Sequence, residues 1–96
     1  MKIKTSLIER IKPKILPILR KNRIRKAGVF GSYAQGKPKK TSDIDIVIEF
    51  NGSLLTLVRI ERELQKALKR KVDLLTYKGI NPHIREKILS EEIRIV

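Results

Sequence analysis

Cysteine is absent from the 96 residues, and histidine occurs once, at His83. The first absence excludes a disulfide framework and any thiolate metal site, and the second excludes a histidine-rich one, so a metal bound here would be held by oxygen. Long apolar runs are missing too. No stretch approaches the roughly 18 residues that a membrane span needs, and Lys2 and Lys4 break up any signal-peptide core. The expectation is a cytoplasmic protein without a membrane segment. Aromatic residues are few, two Phe and two Tyr, and the Lys and Arg residues are not interleaved with them as on base-stacking surfaces. A chain of 11.1 kDa suits one domain, residues 1–96, with a single modest core, and is too small to enclose a large substrate alone.

Acidic residues are scarce in the first part of the chain. Residues 1–40 hold 13 Lys and Arg against one acid, Glu9, a balance of +12; residues 41–96 hold 10 against 9, a balance of +1. The excess of the +13 net charge therefore precedes residue 41. Such a segment either forms a solvated basic surface or attracts phosphates, RNA or an acidic protein face.

Hydrophobic spacing divides the chain into alternating helices and strands, with no repeat and no linker. Ser6 and Glu9 fit a capping box, and Leu7, Ile8, Ile11, Ile15, Ile18 and Leu19 recur at helical spacing. This N-terminal helix is expected to be interrupted or kinked at Pro13 and Pro17. Residues 27–30 read as a short buried strand, residues 32–36 as a helical turn stopped by Gly36, and residues 44–50 as a second strand. Ser53 can cap a third helix whose Leu57, Ile60, Leu64, Ala67 and Leu68 form an apolar stripe. The stretch "KVDLLTY" is a third strand, Asn81 and Pro82 open a last helix, and "IRIV" supplies a short edge strand. Strands separated by helices imply an α/β fold (an α+β sandwich), a small mixed β-sheet with helices packed against it.

Two carboxylates stand out. In a strand, alternate side chains share a face, so Asp43, Asp45 and Val47 point one way and Ile44, Ile46 and Ile48 the other. The carboxylates then lie about 7 Å apart along the strand by its rise per residue, and like charges so placed oppose each other's ionisation unless a cation intervenes. Aspartate oxygens are what Mg²⁺ prefers, so the pair is a candidate metal seat. Gly31 and Ser32 come where the first strand turns into a helix, a place where backbone N–H groups point outward and bind phosphate.

"GS" followed, ten residues later, by "DID" resembles the signature of the nucleotidyltransferase superfamily with the DNA polymerase β-type fold. The fuller "FGSYAQG" and "SDIDIVIEF" are similar to its minimal nucleotidyltransferase branch, which includes the MntA-type antitoxins paired with HEPN ribonuclease toxins. The resemblance implies a third acid on the strand after the long helix, where this chain has Asp73. It further implies that Asp43 and Asp45 hold two Mg²⁺ ions and that Asp73 ligates one of them or helps accept a proton. Gly31 and Ser32 would fix the phosphates of ATP, and AMP would pass to a hydroxyl of a cognate HEPN toxin. Lys37, Lys39 and Lys40 could reach the triphosphate or remain a solvated loop. Tyr33, Gln35 and His83 receive no chemical role. The alternatives are a non-catalytic module that masks the toxin and a small basic RNA-binding protein.

Overall fold

The apolar spacing of the first segment is realised as α1 (Lys2–Lys21), with Ile8, Ile15 and Leu19 buried. The computed structural model describes residues 2–38 and 42–96, with side chains from residue 7 onward. Two expectations fail in α1. The helix begins before Ser6, which therefore lies within it and is not its cap, and neither Pro13 nor Pro17 interrupts it. Glu9, Pro13 and Pro17 all sit on the exposed face. The carbonyls of Glu9 and Pro13, which lose their donors four residues on, are thus turned to water instead of being stranded in the core.

After a turn at residues 22–26, β1 (Ala27–Phe30) runs straight into one helical turn, α2 (Gly31–Ala34). β2 (Ile44–Ile48) stops two residues short of the expected end, because its antiparallel neighbour starts at Ala27, opposite Ile48. Beyond that pair a single bond, Glu49 N–H to the Lys26 carbonyl (2.9 Å), continues the ladder. α3 (Leu54–Leu68) is capped as expected, the Ser53 hydroxyl accepting from the Thr56 N–H (3.2 Å). It closes on Lys69 in the left-handed conformation, φ 55°. β3 (Val72–Thr76) follows, then α4 (Pro82–Glu91), with Pro82 in its first turn and the Asn81 side chain accepting from the His83 N–H (2.9 Å). β4 (Ile93–Arg94) is the short edge strand.

The sheet order is β3-β2-β1-β4; β1 is antiparallel to β2 and to β4, and β2 is parallel to β3 through the α3 crossover. α1 and α3 cover one face, where Ile15, Leu19, Ile60 and Leu64 meet Val29, Ile44, Ile46, Ile48 and Val72. The other face is only partly covered. There Val47, with Phe30 and Leu75, packs against Tyr77, Ile80 and Ile88. Among the described residues, a mixed four-stranded sheet with four helices is the expected α/β sandwich, and the uncovered end of the second face is where the aspartates stand.

Candidate active site

Strand register builds this site. The β1–β2 pairing sets Phe30 opposite Asp45, so the chain leaves β1 at Gly31 directly against the Asp45 side chain. A Cβ on Gly31 would fall on Asp45 Oδ2, and Gly31 has φ +71°. Both facts demand glycine: the backbone conformation disfavours any side chain, and the space is taken. Ser32, half-buried, is the next residue of the turn.

The β2–β3 pairing sets Asp45 beside Asp73, on parallel neighbours about 4.8 Å apart. Beside Asp73, the Asp45 carboxyl holds its proton more tightly than an ordinary carboxyl does. Burial is the first cause, followed by the charge of Asp73, the hydrogen bond to it and lastly the charge of Asp43; together they push Asp45 up from 3.8 to about 6. Asp43 lies just before β2, and its Oδ2 is 3.9 Å from Lys71 Nζ, a loose and largely solvated ion pair. Val47 shares the face of Asp45, and Ile44, Ile46 and Ile48 fill the core, as the alternation predicts.

The alternation along β2 predicts Asp43 and Asp45 side by side; the register of β2 on β3 adds Asp73 beside Asp45, on which it acts more strongly than Asp43 does. Lys71, to which the sequence spacing gives no role, has its carbonyl accepting from the Ile44 N–H (3.0 Å) and its ammonium paired with Asp43. The signal was present in Lys71 lying two residues before Asp73, and it becomes readable only once β2 and β3 are aligned. Tyr33 is a core residue, 7% exposed, and Gln35, Lys37 and His83 are exposed. Lys39 and Lys40 lie outside the described residues. Among the described residues, no three Asp, Glu or His side chains converge as a ready-made metal cluster. What the arrangement offers is a close pair of carboxylates, one with a raised proton affinity, a third carboxylate nearby and a glycine turn alongside.

The family model described as polymerase beta, nucleotidyltransferase, matches residues 13–96. The chain belongs to this family. As a nucleotidyltransferase it is 47% identical over 91 residues to a Methanocaldococcus jannaschii protein named provisionally as a protein adenylyltransferase, covering 93% of this chain and 98% of that one. It is 35% identical over 74 residues to the protein adenylyltransferase MntA of Thermococcus cleftensis, covering 75% of each. Among solved structures, a toxin-antitoxin complex with AMP-PNP superimposes with a TM-score of 0.80 at 25% identity, covering 88% of this nucleotidyltransferase and 72% of that chain. Among the described residues, no helix is long and apolar enough to cross a membrane.

Proposed function

We propose that the chain is a single minimal nucleotidyltransferase domain acting as an antitoxin: it transfers AMP from ATP to a hydroxyl of a HEPN ribonuclease toxin and so neutralises it. The observation that carries this reading is the meeting of Asp45 with both Gly31 and Asp73, a carboxylate pair set against a glycine turn. The adenylyltransferase names of the relatives support the reaction, and the AMP-PNP in a similar toxin-antitoxin structure supports ATP as donor and a toxin as partner.

The donor set suits Mg²⁺. All three candidate ligands are carboxylates; burial first, and then the charges of Asp73 and Asp43, raise the proton affinity of Asp45, and a divalent cation would offset those charges. Held by Asp43 and Asp45, with Asp73 contributing to one of two ions, Mg²⁺ would supply neutralisation of charge at the attacking and leaving oxygens. Gly31 and Ser32 receive the β- and γ-phosphates, the glycine by letting the backbone approach closely and the serine by its hydroxyl. Lys37, exposed beyond the turn, adds positive charge toward the triphosphate, as would Lys39 and Lys40. Asp73, exposed beside Asp45, accepts the proton of the incoming hydroxyl. The hydroxyl oxygen bonds to the α-phosphorus in line, the bond from that phosphorus to the α–β bridging oxygen breaks, and pyrophosphate departs.

Intact-mass spectrometry tests the reading. Incubated with Mg²⁺, ATP and its partner toxin, the chain adds one or more AMP residues to the toxin, and Asp73→Ala abolishes the addition without preventing the complex. A toxin that is fully inhibited yet unmodified would establish masking instead.

A further inference from the structure

The outer face of α3 begins apolar and continues basic. Leu54, Leu55 and Val58 are 73, 84 and 39% exposed, and none of them is needed by the core. Arg59, Arg62, Lys66 and Lys69 follow on the exposed side. Spacings of three and four residues line Leu55 up with Val58, Arg59, Arg62 and Lys66. The acids of the helix are turned elsewhere: Glu61 accepts from the Leu74 N–H of β3 (3.2 Å), and Glu63 is shared by Lys21 and Arg59. The face therefore presents an apolar patch, then Arg59 paired with Glu63, and beyond them Arg62 and Lys66, which have no ion pair to a carboxylate of the helix among the described side chains. Three adjoining exposed aliphatic side chains at one helix start mark a contact surface more than scattered single ones do.

Direction gives this face its meaning. α3 runs 15 residues, about 22 Å, from the far end of the sheet to the end where Asp43, Asp45 and Asp73 stand. Its last turn leads through Lys69 and Lys71 into β3 and Asp73. We propose that this face docks the protein that accepts AMP, and that the docking segment is an acidic amphipathic helix. Its apolar side covers Leu54, Leu55 and Val58, and its carboxylates meet Arg62 and Lys66. Charge complementarity selects an acidic occupant, and a segment laid along α3 ends beside the start of β3, the strand that carries Asp73 on the opposite face of the sheet from α3. The proposal rests on the adenylyltransferase reading above and adds to it the surface that grips the acceptor.

The probes are a fluorescent amphipathic helical peptide of leucine and glutamate and the same peptide with lysine for glutamate, read by anisotropy. The glutamate peptide binds and the lysine peptide does not; Leu55→Ser and the Arg62→Glu plus Lys66→Glu pair each weaken binding about tenfold or more, while Asp45→Asn binds like wild type. Leu55 is largely exposed, so its replacement leaves the fold intact. Equal binding of both peptides, or binding indifferent to Leu55→Ser, overturns the proposal. So does a wild-type dimer that Leu55→Ser dissociates and that takes up no peptide, or an RNA oligonucleotide held by Arg62 and Lys66 without need of Leu55. AMP transfer to the toxin separates the two readings. Transfer at the wild-type rate by Leu55→Ser at limiting toxin defeats the dock and leaves the enzyme; peptide binding as expected with no transfer by wild type leaves the dock and defeats the enzyme.

Discussion

A methyl group on Gly31 would land on the carboxylate of Asp45. The turn that follows β1 and the carboxylate in the middle of the sheet are therefore fitted to each other, and a change in one moves the other. Gly36, which shares the positive φ (+73° against +71°), is the control for the backbone conformation. Gly31→Ala and Gly36→Ala should each lower the unfolding free energy by about 1 kcal/mol for left-handed backbone, read in urea. Only Gly31→Ala should also weaken Mg²⁺-dependent ATP binding by calorimetry. Wild-type ATP affinity in Gly31→Ala would disprove the cradle.

Asp45 holds its proton to about pH 6, against an ordinary 3.8. Because the folded chain then binds the proton more tightly than the unfolded chain does, this group's contribution makes stability fall as pH rises from about 4 to 6, and the deficit persists above 6. The full shift corresponds to about 3 kcal/mol at 1.36 per pH unit; water reaching the half-exposed side chain reduces this to roughly 1–2 kcal/mol. Asp45→Asn should accordingly be more stable than wild type at pH 7 and gain little at pH 4. Urea unfolding of both proteins at the two pH values checks the sign, and an asparagine variant no more stable at pH 7 would refute the crowding of charge.

Much of this was legible locally. Residues 27–30, the Ser53 and Asn81 caps and the edge strand could be read because each depends on neighbours within a few residues. Asp43 and Asp45 were legible because alternation along one strand is local as well. The Asp45–Asp73 pairing was not, since the register of β2 against β3 is set through the whole α3 crossover. Nor was the steric match of Gly31 to Asp45, which needs the β1–β2 register. The failure at Pro13 and Pro17 has a different cause: both lie on the solvent side of α1, and sequence spacing alone weighs a proline's missing donor the same wherever it faces.

Asp43→Asn with Asp45→Asn should abolish the dependence of ATP binding on Mg²⁺ and leave the fold in place, because both carboxylates face the open end of the sheet while the strand's isoleucines fill the core. Calorimetric titration of ATP with and without Mg²⁺ reads the effect. Identical metal dependence in the double variant and in wild type would remove these residues from the metal seat.

A second polar cluster should behave in the opposite way. The Tyr77 hydroxyl donates to Glu92, whose side chain fills the space beside Gly28, and Lys26 Nζ lies 4.4 Å from the Tyr77 ring centroid. Burial, then Glu92, raises the Tyr77 hydroxyl above its ordinary 10. Arg85 also donates to the Tyr77 carbonyl (2.6 Å), tying α4 to the end of β3. Tyr77→Phe leaves Glu92 without this donor and should reduce stability by about 1–2 kcal/mol, with AMP transfer and ATP affinity unchanged. A fall in transfer rate at full stability would give this cluster a part in the chemistry.

The charge asymmetry bears on the approach of the partner. Arg20, Arg23 and Arg25 are exposed where α1 gives way to β1, within the segment that carries +12 of the +13. Lys21, beside them, is occupied by Glu63, so the other three are the cleaner probes of the field. A positive surface of this kind accelerates the encounter with an acidic partner, and salt screens it over about 10 Å at 0.1 M. Stopped-flow association with the toxin should slow steeply between about 0.05 and 0.5 M salt. Changing the three arginines to glutamine should flatten that dependence and leave AMP transfer at saturating toxin unaltered, because none of them lies in the turn or strands that hold Gly31, Asp45 and Asp73. An association rate that ignores salt, or a triple variant with the wild-type slope, would make these arginines a solvated surface with no share in recruiting the partner.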